Sequence, residues 1–473
     1  LAFIAAPAAA REIRIGPNDG GYAEIEAAQA GDEVIIAAGT YRYRVQLNQS
    51  GTESMPIVVR GEDPANPPVF DYEGQQVQQW PGSYPQSAPD AVRHAWLISG
   101  SYVTVQDVEV RGASNTSASS LSTAGFRLRN QTSRVTRVRS IGNQIGVEFG
   151  GSGGNIERSL LANNKTSVAH YGGNATIRQT LMRDAEEHVY SSASKLTLEA
   201  SWLERVSDYF IVVAECSYEC GGVGTQPVAR SVALSGNIFR RSPSTLANFT
   251  VLLDARTGGP SLDGTGHNQV TQVYVVHNTF VGAEVIPPRE QDALVAQGSA
   301  FRFDVHAWNN AVDGFDDAWA SSGSATLDGG ANWSTTGTAG LLPGTQLGAA
   351  ALFVDAGALD FRPAVGSPLR GLAVSATVYA PIVAPSAEPP RDSSALGSNQ
   401  PRVAWADVGA FEFVPPSQDG GEGSLDGGDV LPRPRGLPGW AVGCRVLPPD
   451  ALGWAVLVVW GCRRSRRRSA TAD

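Results

Sequence analysis

The sequence predicts a parallel β-helix with coils of about 21 residues, on three observations. First, the 473 residues include 53 Gly and 29 Pro. Inside a helix these cost roughly 1 and 3 kcal/mol each, so long helices are excluded and a turn-rich, β-rich chain is expected. Second, Val135, Ile156, Ile177 and Leu198 recur at intervals of 21, and Val147, Val168, Val189 and Phe210 form another apolar column twelve residues after each. Two columns at one period mark a solenoid. Leucine-rich repeats have similar lengths, but their fixed Leu and Asn positions are absent. Third, Ser159, Thr180, Ser201, Asn237, Asn278 and Asn310 stand three residues after successive anchors. A stacked polar column of this kind bonds to the turn backbone of neighbouring coils and is structural, not a ligand set.

Along the chain, residues 1–10 (LAFIAAPAAA) read as the end of a secretory signal, or as a short apolar first strand. Residues 11–414 form the expected solenoid. Val34 to Ile36, Ile57 to Val59, and Val105 with Val108 open its early coils. Leu234, Val275 and Ala307 continue the anchors at intervals of 36, 41 and 32, so insertions between Leu198 and Ala307 should emerge as loops. Cys216 and Cys220 lie in one such stretch and suit a small disulfide only in an oxidising compartment. Residues 415–439 are a Pro/Gly-rich linker, and 440–473 hold Cys444, a short apolar run, Cys462 and an Arg cluster. That run is well short of the ~20 residues needed to span a bilayer.

The formal net charge is −10, yet residues 1–432 carry 28 basic and 44 acidic side chains, a net of −16. A nucleic-acid partner is therefore not expected, since phosphate binding needs an excess of Lys and Arg on one face. No transmembrane span is expected in the body.

AGDEVIIAAGTYR (Ala30–Arg42) followed by MPIVVRGED (Met55–Asp63) resembles the first coils of secreted right-handed parallel β-helix proteins of the pectin-lyase-like superfamily. LDFRPAVGSPLRGLA (Leu359–Ala373) and DVGAFEF (Asp407–Phe413) resemble the closing segment of bacterial members. The resemblance spans roughly residues 11–414 and implies a right-handed solenoid that binds or processes a polysaccharide or cell-surface glycan. The superfamily contains lyases, hydrolases, epimerases, adhesins and tail-spike proteins, so activity must be read from the site. The C-terminal order of Cys, apolar run and Arg resembles the sorting tails of myxobacterial surface proteins. It implies retention at the outer surface of a Gram-negative bacterium.

A solenoid interior is packed, so chemistry is expected on outward faces. If position twelve after each anchor points inward, positions eleven and thirteen point out, which gathers His188, Tyr190 and Tyr209 with Glu148 on one face. Elimination from a uronate needs a base, an acid and a cation for the carboxylate. His188 suits the first role, Tyr190 or Tyr209 the second, and Arg183 or Arg205 the third. The lysine of similar alginate and chondroitin lyases has no counterpart on the matching strand, which carries Ser191 and Ser192. Glu187 and Asp208 form a candidate close carboxylate pair for glycoside hydrolysis or for Ca²⁺, and Asp313, Asp316 and Asp317 a second acidic group. The polygalacturonase signatures are absent. Arg127, Arg129, Arg134, Arg137 and Arg139 suggest a basic patch for an anionic glycan, or members of cross-coil salt ladders such as Thr136, Glu157, Arg178 and Glu199. A non-catalytic adhesin is the alternative function.

Overall fold

The computed structural model describes residues 10–18, 21–73, 80–83, 94–114, 123–214, 230–245, 248–254, 270–283, 291–298, 302–356, 360–374 and 407–411. The signal-like residues, Cys216 and Cys220, most of the insertions, the linker and the tail lie outside them. The chain divides into Leu1–Val430 and Leu431–Asp473, and every described residue belongs to the first unit.

Among the described residues, three parallel sheets of 12, 10 and 12 strands run the length of a right-handed β-helix. Among the described residues, ten successive coils, from Glu33 to Ser322, each contribute one strand to each sheet. One coil, for instance, runs through Gly153–Glu157 in the first sheet, Leu160–Ala162 in the third and Thr166–His170 in the second. Parallel strands with both faces covered favour β-branched and aliphatic residues, which is what the anchors supply. Val135, Ile156, Ile177, Leu198, Leu234, Val275 and Ala307 pair in unbroken register, and all are fully buried. Val34, Val59 and Val105 extend the same column upstream. The long intervals after Leu198 therefore leave the register of the first sheet intact.

Between the first and third sheets the chain turns within one residue, and that residue must adopt positive φ. Arg137, Arg158, Gln179, Ala200, His277 and Asn309 do so at φ of 45 to 58°, with Gly236 in the same place. Left-handed backbone costs a non-glycine residue roughly 1 kcal/mol or more. The polar column beside the turn offsets that cost. The Ser201 amide donates to Asn237 Oδ1, Asn237 to Asn278, Asn278 to Asn310 and Asn310 to Asn332, at 2.9 to 3.0 Å. All four Asn are buried. They are structural, as expected, and Asn332 is a further rung. A second ladder at the next corner was not anticipated: Ala113 N donates to Asn143 Oδ1 and Asn143 N to Asn164 Oδ1, at 2.8 and 2.9 Å.

Outward on the third sheet, Leu181, Trp202, Ile238, Thr279, Ala311 and Trp333 form a row that is apolar except for Thr279, whose Oγ1 accepts from the Ala410 amide. Phe361, Leu369, Val408, Ala410 and Phe411 pack onto it, so the segments that resemble a closing strap do cover a face of the solenoid. Phe361 lies 5.5 Å from Trp202 and 5.2 Å, edge-on, from Phe353. Phe361→Ala should cost about 3 kcal/mol, the usual scale for emptying a buried Phe site. Chemical denaturation should show it as a lower midpoint.

Candidate functional site

The outward surface of the second sheet does not follow simple alternation. Position twelve is inward, at Phe126, Val147, Val168, Val189, Ile211, Val251, Leu294 and Trp319. Position eleven is inward as well: Phe210, Ala293 and Ala318 belong to the same core as Ile211, Leu294 and Trp319. The chain bends as it enters each strand, so two successive side chains turn inside. In the coils holding the Asn143 and Asn164 ladder this column is Gly125 and Gly146. A Cβ on Gly146 would stand 2.6 Å from Ser167 O. Positions ten and thirteen therefore share the outward side, as the packing of Ala124 and Ile145 with Ala169 shows.

This bend corrects the placement of His188. Its side chain is completely buried, with Nδ1 3.2 Å from Ser167 Oγ and Nε2 2.9 Å from Glu204 O. Burial pulls its pKa down to about 4. It is a neutral core group and cannot reach a sugar on the outer face. A second correction concerns Phe210. The step from Glu187–Ser191 to Ile211–Ala214 is 22 residues, so Val189 pairs with Ile211 and not with Phe210. Tyr209 consequently stacks on Phe249, at 6.1 Å and 11°, in the tenth-position column.

The proposed cations are also held elsewhere. Arg205 lies within the third-sheet strand Trp202–Val206, at a positive φ of 49°. It is bound by Asp184 at 2.6 and 2.8 Å and by Glu204 at 2.6 Å. Arg183, on the third sheet, lies 3.8 Å from Asp184. The structure thus does not bring His188, Arg183 and Arg205 together with Tyr190 on one face. The five clustered arginines are dispersed too. Arg137 pairs with Asp107 at 2.6 Å at the first turn, and Arg139 lies 3.7 Å from Glu109 on the third sheet. Arg134 donates to Thr104 on the first sheet, and of the five only Arg127 lies in a strand of the second, with Arg129 just past its end. The salt-ladder reading fits these pairs, and Arg178 meets Glu199 at 3.0 Å.

What does assemble on the second sheet is a strip of aromatic and carboxyl groups. Arg127, Glu148, Ala169 and Tyr190 occupy one column, with Glu187 in the neighbouring tenth-position column. Glu148 is buried beside Arg127 at 3.3 Å, and Arg127 also reaches His94 at 2.9 Å. Tyr171 packs on Tyr190 at 5.9 Å. Burial, then the nearby Glu148, Tyr190 and Glu187, pushes the Tyr171 hydroxyl up to about 12. Tyr190 is raised by burial and by Glu187. Burial, then Asp208 and Glu186, raises Glu187, while burial and Glu186 raise Asp208. Glu187 thus lies near Tyr171 and Tyr190 on one side and Asp208 on the other. Behind it, Arg230 is buried, its guanidinium donating to the carbonyls of Ser191, Ala193 and Ala214 at 2.6 to 3.0 Å.

Among the described residues no group of three or more His, Cys, Asp or Glu is gathered as a metal site. Glu187 and Asp208 alone would leave most of a Ca²⁺ coordination shell to water. Asp313 and Asp316 do not pool either: Asp313 accepts from Thr335, and Asp316 from the Gln291 amide. Asp317 pairs in register with Asp292 in the tenth-position column. On the first sheet the structure shows a polar group that sequence reasoning missed. His306 stacks on Tyr274 at 5.2 Å between Asp328 and Gln272, and Asp304 is bound by Arg302 and Thr326. Its signal was present, because Tyr274 and His306 are 32 residues apart, the interval between the anchors Val275 and Ala307.

Fold and strip together define a parallel β-helix protein with an aromatic and carboxyl face. No protein-family model and no curated protein matches the chain. Solved structures resemble it. Pectate lyase Pel9A has a TM-score of 0.47 and 14% identity, covering 85% of this chain and 97% of the other. An alginate lyase from Paenibacillus sp. has 0.41 and 14%, covering 67% and 99%. A GH136 lacto-N-biosidase from Eubacterium ramulus has 0.40 and 12%, covering 71% and 67%. At these identities and TM-scores the similarity bears no weight on the chemistry of this chain, which rests on its own geometry.

Proposed function

We propose that the protein binds a polysaccharide along the outward face of the second sheet. The observation that carries this reading is the placement of Tyr171, Tyr190, Tyr209 and Phe249 on the second sheet with Glu187 and Asp208. Aromatic rings supply amphipathic contact area, and carboxyl groups bond in pairs to sugar hydroxyls. A solenoid repeats such contacts along its axis, which suits a polymer. The Cys, apolar and Arg order of residues 440–473 supports an exported, surface-held setting.

A second reading is favoured by Glu187 and Asp208. Both are held toward their protonated forms, and a protonated carboxyl is the acid that glycoside cleavage requires. In that reading Glu187 donates a proton to the leaving oxygen and Asp208 assists as its partner.

Binding is tested by affinity electrophoresis through gels containing individual polysaccharides. Tyr190→Ala should weaken retention about tenfold, the loss of roughly 1.4 kcal/mol expected of one aromatic contact. Unchanged retention would remove the strip from the interface. Reducing-end release, abolished in Glu187→Gln, separates the catalytic reading from simple binding.

A further inference from the structure

We infer that this face takes a glycan free of carboxylates and turns polyuronates away. The inference rests on the glycan-binding reading of the strip and adds the substrate class. A polyuronate carries one negative charge per sugar. To bind along a protein face it needs cations there whose charge is still available.

Among the described residues, the arginines at the strip are already committed. Arg127 is held by Glu148 and His94, and Arg230 spends its guanidinium on three backbone carbonyls. Arg183, Arg205, Arg137 and Arg139 face other sides of the solenoid, each beside a carboxylate. Exposed Lys165 lies near Glu187, and exposed Arg129 follows the strand that carries Arg127. Against these two stand Glu186, Glu187 and Asp208, three carboxyl groups, with Glu187 close enough to Asp208 and Glu186 to be disfavoured as an anion by both. Each uronate laid on Tyr190 or Tyr209 would bring a further negative charge to that group. A neutral sugar meets no such opposition: its hydroxyls can donate to carboxylates and accept from protonated carboxyls or the Tyr hydroxyls.

The test is affinity electrophoresis of the full chain at low ionic strength. The probes are a β-glucan, a mannan and an α-glucan against polygalacturonate and alginate. Retention by at least one neutral polymer, at least tenfold stronger than by either polyuronate, is the expected result. In the double variant Glu187→Gln with Asp208→Asn the gap should narrow, because two charges are removed at nearly constant shape. Polyuronate retention equal to or above that of every neutral polymer, and lost in Tyr190→Ala, would overturn the substrate class while leaving the strip a glycan site. No retention by any polymer would overturn the glycan-binding reading itself, and the substrate class with it.

Discussion

Asn278→Ala is expected to cost about 4 kcal/mol. Its Oδ1 accepts from the Asn237 amide and the Asn237 side chain, both at 3.0 Å. Its Nδ2 donates to Leu234 O at 2.8 Å and to Asn310 Oδ1 at 3.1 Å. Truncation leaves several buried donors and acceptors unpaired on three coils. Each unsatisfied group costs roughly 1 to 3 kcal/mol, so the loss exceeds that of an ordinary hydrogen bond. It also withdraws support from the turn at His277, whose φ is 54°. Urea denaturation should show a large fall in midpoint, against less than about 0.5 kcal/mol for exposed Asn174→Ala. A loss below 1 kcal/mol at Asn278 would mean that the turns stand without their ladder.

Acid should destabilise the solenoid well above the usual carboxylate range. His170 and His188 are buried and held at about 4, against an ordinary value near 6.5, chiefly by desolvation. A lowered folded-state pKa gives stability that is fully present above pH 6.5 and is lost as pH falls toward 4. At about 1.4 kcal/mol per pH unit, each histidine withdraws about 3 kcal/mol across that window. Glu187 and Asp208 act in the opposite sense. Their raised values favour the folded state at low pH and oppose it as pH rises, but solvent reaches both and weakens the effect. Denaturation midpoints measured from pH 7.5 to 4 should fall steeply, and His188→Gln should flatten the slope. An unchanged slope in that variant would show that His188 does not remain neutral in the core.

The inward column of the first sheet was legible because it is a strict chemical repeat. Val135, Ile156, Ile177 and Leu198 keep one period, and the later insertions fall between strands without moving Leu234, Val275 or Ala307 out of register. The outward face was harder, for a local reason. Alternation assumes a straight strand, whereas the bend at position eleven turns His188 inside and brings Glu187 outward beside Tyr190. A hint stood in the sequence: Gly125, Gly146 and Ser167 precede His188 in that column, and small residues mark a crowded corner. One extra residue between Val189 and Ile211 then moved Tyr209 onto Phe249, a partner that a period of 21 cannot reveal. Of the two readings of the arginines, the salt ladders fit and the patch does not, because thirteen residues of a solenoid cross all three faces and closeness in sequence is not closeness on a surface.

The central claim, that a glycan lies on the second sheet, is tested most directly by oxidative footprinting of tyrosines with and without a retained polysaccharide. Tyr171, Tyr190 and Tyr209 should be protected together, while Tyr274, part of the polar group on the first sheet, should oxidise at an unchanged rate. Protection of Tyr274 with Tyr171, Tyr190 and Tyr209 unaffected would contradict the account.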